Sequence, residues 1–191
     1  MTFRVVWTGF EPFLEYDYNP SWDVAQTAAE SLDAQAHQLP VDFESASDAH
    51  RAYEGDSTPG LLVHVGVAAR RDYVAFERFA HNVHGVRDDR PQTSEGRDEL
   101  VPHGPLAMQT EVLLGRLVDR YVEYGSADLP RAEISRDAGT YVCNAAYYHS
   151  LRAFEGSPVN VLFIHIPMMD VERARRLGMH LARIVEPLSS G

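Results

Sequence analysis

The chain of 191 residues has no lysine: all 17 of its basic side chains are arginine. That absence excludes Schiff-base chemistry and a P-loop, both of which need an amine. A single cysteine rules out an intrachain disulfide and a cysteine-rich zinc site. No apolar run approaches the ~18 residues that a membrane helix requires, so no membrane partner is expected. Met1 to Trp7 carry no charged leader, long apolar segment or small-residue cleavage site. A signal peptide is therefore not read there, and a cytoplasmic address is expected. Positive charge is also short: 28 acidic residues outnumber the 17 basic ones, for a net charge of -11. Such a balance repels phosphate backbones, and nucleic acid is not expected as a partner.

What is present is ordinary globular composition, 45% hydrophobic and 24% charged, which argues against disorder. The length suits one domain over residues 1–191 with a core that needs no staples. Short apolar runs at Phe3 to Thr8, Leu61 to Val67 and Val159 to Ile166 read as buried strands. Helical spacing is found over Trp22 to Leu32, with Ser21 or Asn19 as cap, and over Met108 to Tyr124, Val142 to Phe154 and Val171 to Val185. Ala34 to Val41 and Ala132 to Ser135 read as further strands, Glu44 to Tyr53 as weakly helical. Tyr73 to Asn82 alternates and reads as extended, and residues 85–106 as a long loop of the kind that carries function. Strands alternating with helices predict an α/β fold, a three-layer α/β/α sandwich around a mixed, mostly parallel sheet. Sites in such sheets form beyond the carboxyl ends of the strands.

Four groups near such ends could carry chemistry. Cys143, the one available sulfur nucleophile, opens the helical stretch after Gly139-Thr140. Unpaired N–H groups there favour a thiolate and a lowered thiol pKa; the competing reading is a small buried hydrophobe. His165 ends an apolar strand, either as the base that takes the thiol proton or as a buried, hydrogen-bonded neutral ring. Glu77 shares a strand face with aromatics, where a carboxylate needs a partner: it orients an imidazolium or pairs with an arginine. Phe10 and Phe13 stand in a loop, lining an apolar pocket for a flat ring or capping the core. His81 and His84 lack further ligands at metal-like spacing, so neither a metal nor another cofactor is expected.

Together these blocks resemble the pyroglutamyl peptidase I (pyrrolidone-carboxyl peptidase) family of cysteine peptidases. Thr8-Gly9-Phe10-Glu11-Pro12-Phe13 followed by Asn19-Pro20-Ser21-Trp22 is similar to the family's opening motif. Phe76-Glu77-Arg78 through His81-Asn82 is similar to its acid block, Gly139-Thr140-Tyr141-Val142-Cys143-Asn144 to its nucleophile block, and Phe163-Ile164-His165-Ile166-Pro167 to its histidine block. The resemblance implies hydrolysis of N-terminal pyroglutamate from peptides through a thioester. It makes Cys143 the nucleophile, His165 the base and Glu77 the orienting acid. Phe10 and Phe13 would flank the pyrrolidone ring, Tyr141 and Val142 would complete the pocket, and Asn19 would hold the pocket loop. The Cys143 N–H, with Arg87, would form the oxyanion site. The expected partners are pyroglutamyl peptides, with room for a homo-oligomer. Many bacterial members have Gly-Gln-Ala-Gly-Gly-Arg where this chain has Gly66-Val67-Ala68-Ala69-Arg70-Arg71, and the loop from Arg87 to Gly104 matches poorly. Two rivals on the same fold are a non-catalytic binding protein and a nucleoside phosphorylase-like enzyme.

Overall fold

A computed structural model of the chain describes residues 3–13, 16–53, 58–85 and 99–186. Its centre is a six-stranded sheet. Strands β1 (Arg4–Phe10), β2 (Gln35–Leu39), β3 (Gly60–Val67) and β8 (Val159–Ile166) run parallel. Strand β4 (Val74–Glu77) lies antiparallel to β8, and β7 (Ala132–Ser135) pairs parallel with β4 at the edge. The spatial order is β2-β1-β3-β8-β4-β7. The sheet is thus mixed and mostly parallel, as expected.

Both faces are covered, so its central strands are apolar on both sides rather than alternating. On one face, helices α1 (Pro20–Ser31), α3 (Leu114–Tyr124) and α5 (Val171–Val185) pack against Trp7, Leu61, Val63, Val65, Phe76 and Ile164. On the other, α4 (Val142–Ala153) and the short α2 (Phe43–Ser47) cover Phe10, Val161 and Phe163. A 3-10 turn, Ala49–Tyr53, follows α2, so the weakly helical reading of 44–53 resolves into two short pieces.

Two expected elements change. The extended run 73–82 breaks at Arg78: β4 ends at Glu77, and β5 (Phe79–His81) leaves the main sheet to pair antiparallel with β6 (Ala107–Gln109). The helix expected from Met108 begins only at Leu114. Met108 lies in β6, and the Thr110 hydroxyl donates to the Val161 carbonyl at 2.5 Å and accepts from Val112 N–H at 3.2 Å, turning the chain before the helix. Apolar spacing over 108–113 therefore reflects a strand and a turn packed on the core, not an extra helical turn.

Gly9 brings the start of α1 against β1. A Cβ there would stand 2.5 Å from the Ser21 carbonyl oxygen and 2.6 Å from Trp22 Cα. Asn19 caps α1 by accepting from Ser21 N–H at 3.1 Å, and the Ser21 hydroxyl accepts from Phe10 N–H at 3.0 Å. The helix start and the strand end are locked together beside the carboxyl edge of the sheet.

Candidate active site

The carboxyl ends of β1, β3 and β8 open on one edge, where the N-terminus of α4 arrives. Between them lies a cavity of about 220 Å³ lined by Phe10, Phe13, Asn19, Tyr141, Val142, Cys143 and His165, with Arg71 and Thr140 among the other lining residues. All five residues expected to bind substrate thus share one cavity with the expected nucleophile and base. Glu77 sits behind His165 rather than in the cavity wall. Arg87 lies outside the described residues.

Cys143 stands in the first turn of α4, whose starting N–H groups have no partner within the helix. Its sulfur reaches over the sheet because position 66 has no side chain. A Cβ on Gly66 would lie 2.9 Å from Cys143 Sγ and 2.9 Å from Phe163 Cζ. Gly66 is paired directly with His165 in the β3–β8 ladder, so the same gap that admits the thiol adjoins the imidazole.

The expectation of a lowered thiol pKa is overturned. Burial, reinforced by the charge of Glu77, pushes the Cys143 thiol up to about 12, and its own backbone N–H opposes this only in part. The helix N-terminus is present, but desolvation of the anion outweighs it here. At neutral pH the neutral thiol is the resting form, and a base must take its proton.

His165 supplies a positioned imidazole. It is 4% exposed, and its Nδ1 lies 2.8 Å from Glu77 Oε1. With Glu77 ionised, Nδ1–H donates and Nε2 is left as the accepting nitrogen. Phe163 packs on the imidazole at 4.7 Å between ring centroids, which restrains its tilt. Glu77 is fully buried, on the strand face that Ala75 shares and across from Phe163 in the β4–β8 ladder. Both partners weighed for it are present: Oε1 lies against His165 and also accepts from Arg71 Nη1 at 2.6 Å. The main-chain carbonyl of Glu77 accepts from the Tyr147 hydroxyl at 2.9 Å, tying β4 to α4.

The walls of the cavity are built from the α1 junction and the segment before α4. Asn19 Nδ2 donates to the Glu11 carbonyl at 2.8 Å, which holds the loop carrying Phe13 against the helix cap. Phe10 is buried and packs toward Phe163, 6.5 Å between centroids, so it serves the core as well as the wall. Phe13 is half-buried and tilts against Tyr16. Tyr141 stands at the rim, 38% exposed, edge-on to Phe43.

Sequence reasoning missed two supports. Arg71 bridges Glu77 and the Asp137 carbonyl, the latter at 2.7 Å. The requirement that a buried Glu77 find a partner pointed to an arginine without saying which. Asn144, adjacent to Cys143, is buried and grips β5: it accepts from His81 N–H and donates to the His81 carbonyl, both at 2.8 Å. Its signal in the sequence was its place directly after Cys143 in the block similar to the family's nucleophile block.

A thiol and an imidazole lining one apolar cavity, with a buried carboxylate behind the imidazole, are the functional groups of a cysteine hydrolase, here on an α/β/α sandwich. Comparison with known proteins narrows that class. Residues 3–187 match the family model described as pyroglutamyl peptidase, and the chain belongs to that family. Human pyroglutamyl-peptidase 1 is 30% identical over 190 residues, covering 96% of this chain and 88% of its own. A pyrrolidone-carboxylate peptidase of Clavibacter michiganensis is 35% identical, covering 88% of this chain and 80% of its own. The crystal structure of pyroglutamyl peptidase I from Bacillus amyloliquefaciens superposes with a TM-score of 0.76 at 25% identity, covering 95% of each chain. The chain is therefore an enzyme, a hydrolase of the peptidase type, and the binding-protein and phosphorylase rivals are not favoured.

Proposed function

We propose that Cys143, His165 and Glu77 carry the family's reaction in this chain, the hydrolysis of an N-terminal pyroglutamyl residue from a peptide. The observation that supports this most is the 2.8 Å bond between His165 and Glu77 directly behind the cavity that Cys143 and His165 line together. The pyrrolidone ring is neutral and flat. Apolar walls at Phe10, Phe13 and Val142 suit it, and backbone groups can meet its N–H and C=O.

The neutral thiol gives its proton to His165 Nε2 as sulfur attacks the carbonyl carbon of the scissile bond. Glu77 stabilises the imidazolium that forms. The developing oxyanion meets the Cys143 N–H at the helix start, where partial positive charge is already aimed. Arg87 is a second donor by resemblance alone. The C–N bond breaks, the imidazolium protonates the leaving amine, and the shortened peptide departs. Water then gives a proton to His165 and attacks the thioester; the C–S bond breaks and the thiol regains its proton, releasing free pyroglutamic acid. Glutamine or glutamate would bury polar or charged groups without partners in this cavity and would be rejected.

The test is hydrolysis of a pyroglutamyl fluorogenic amide beside its prolyl and glutaminyl counterparts, with Cys143→Ala as control. Only the pyroglutamyl amide should be cleaved, and only by the unchanged chain. Cleavage of all three, or retention of activity by Cys143→Ala, would sink the assignment. Residues 1–191 act as one peptidase domain, supported by the six-stranded sheet whose strands β1, β3 and β8 contribute Phe10, Val67 and His165 to the cavity. A cytoplasmic location is supported by the dependence on a reduced lone cysteine. Among the described residues no helix is long and apolar enough to cross a membrane. The acidic balance supports a lack of nucleic-acid binding. Exposed Leu113, Val122 and Met179 on α3, α5 and the approach to α3 offer apolar surface for a homo-oligomer.

A further inference from the structure

We infer that Arg71 is a positioning residue of this site, which shares with His165 one oxygen of Glu77 and ties that acid to the segment before Cys143. The inference builds on the assignment of Cys143, His165 and Glu77 above. Its ground is one shared oxygen. Glu77 Oε1 accepts both from His165 Nδ1 at 2.8 Å and from Arg71 Nη1 at 2.6 Å. Oε2 is buried and has no hydrogen-bond partner among the described residues. All the hydrogen bonding of this carboxylate is thus concentrated on one atom, with a permanent cation on one side and a titratable ring on the other.

A carboxylate fully out of water is costly unless a cation holds it. Arg71, always charged, does so at every working pH. If the guanidinium were removed, the Glu77 charge would act undivided on His165 and favour the imidazolium.

The other groups facing this pair do not substitute for Arg71. From α4, Tyr147 binds only the main-chain oxygen of Glu77, and the Cys143 thiol rests neutral. Arg78, next along the chain, hydrogen-bonds through its backbone to Ser135 and Thr110. From the segment before α4, Asp137 presents its carbonyl rather than its carboxylate to Arg71.

That carbonyl gives Arg71 a second task. Nη2 donates to it at 2.7 Å, so one planar fork spans the acid on β4 and the start of the segment that leads through Gly139 and Thr140 to Cys143. The face of Tyr73, 5.7 Å from the guanidinium carbon, braces the fork from outside. Acid and nucleophile wall therefore share one rigid tie.

The experiment compares Arg71→Gln and Arg71→Lys in the full chain, with kcat and KM measured on a pyroglutamyl amide across pH. Gln should lower kcat at least tenfold with KM changed less than threefold, and move the acidic limb of the kcat/KM profile up by about 1 pH unit. Lys, which restores the charge but not the fork, should return the acidic limb toward its original place and recover part of kcat. Three results would overturn the inference: an unchanged profile in Arg71→Gln, an equal loss in both variants with unmoved limbs, or a rise in KM alone. If Arg71→Gln does not fold, the Lys variant decides: an acidic limb displaced upward like that expected for Gln also overturns it. Stoichiometric alkylation of Cys143 in the unchanged chain separates the two claims. An alkylated protein that keeps its activity refutes the catalytic assignment itself, whatever the Arg71 variants do.

Discussion

His64 makes acid a specific threat to this fold. It is fully buried in β3, with Nδ1 2.7 Å from the Thr8 hydroxyl and Nε2 2.9 Å from the Ser150 hydroxyl. Burial holds it down from its ordinary value of 6.5 to about 3, with His50 adding a smaller push in the same direction. The folded protein thus keeps this ring neutral, while the unfolded chain protonates it below about 6.5. Its contribution to stability is complete above 6.5 and is lost as pH falls from 6.5 toward 3. At pH 5 the linkage amounts to about 2 kcal/mol, from roughly 1.4 kcal/mol for each pH unit between the two values. That is a sizeable share of a typical domain's 5–15 kcal/mol. His64→Gln keeps a donor and an acceptor for the two hydroxyls but cannot be protonated. Urea unfolding at pH 7.5 and pH 5.0 should find the variant less stable at pH 7.5, because the fit is poorer. It should then lose about 2 kcal/mol less than the unchanged chain between the two pH values. His149 and His180, also held low by burial, titrate in both proteins and cancel in the comparison. Equal losses in the two proteins would refute the reasoning.

Other expectations follow from the site. Because the Cys143 thiol is pushed up to about 12, its alkylation by iodoacetamide should keep accelerating through pH 9; a rate plateau below pH 8 would contradict that. The same shift is a stability effect with the opposite pH window to that of His64: it is complete below the ordinary thiol value of 9.0 and is lost as pH rises toward 12. Gly66→Ala should cut kcat at least tenfold, since the new methyl meets Cys143 Sγ and Phe163 at 2.9 Å; a folded variant with full activity would show that the thiol does not need that gap. Phe13→Ala should lower kcat/KM roughly tenfold with little change in Tm, whereas Phe10→Ala, which empties part of the core, should also cost about 3–5 kcal/mol of stability. Identical Tm losses in both would mean that Phe13 is a packing residue.

The residues of the candidate site were more legible in the sequence than the chain path around them. Cys143, His165 and Glu77 could be picked out because each chemical type was scarce where it stood: one cysteine in the chain, one histidine late in an apolar strand, one carboxylate among aromatics. Buried strands such as β3 and β8 announced themselves as continuous apolar runs. What stayed hidden depends on contacts between distant segments. Nothing local says that Arg71, rather than Arg70 or Arg78, turns inward to Glu77. The break at Arg78 is equally invisible, since alternation continues through it while the pairing partner changes from β8 to β6. The thiol pKa was misjudged for a related reason. A helix N-terminus can be read from order along the chain, but the desolvation and the Glu77 charge that outweigh it come from β3, β4 and β8.

The central place of β8 has a consequence for how the protein is made. On the ribosome, β1, β2 and β3 emerge early and can pair, but the open flank of β3 must wait for its partner. That partner begins at Val159, although β3 has already ended at Val67. At ~5–20 residues per second the wait lasts on the order of 5–20 s. Throughout it, a mostly apolar strand edge is open to neighbouring nascent chains, the usual route to aggregation. Yield from expression should therefore be governed less by the stability of the finished fold than by temperature, translation speed and chaperone supply during that interval. On the proposed assignment no peptidase activity appears before it ends, because the strand that closes the edge also delivers His165.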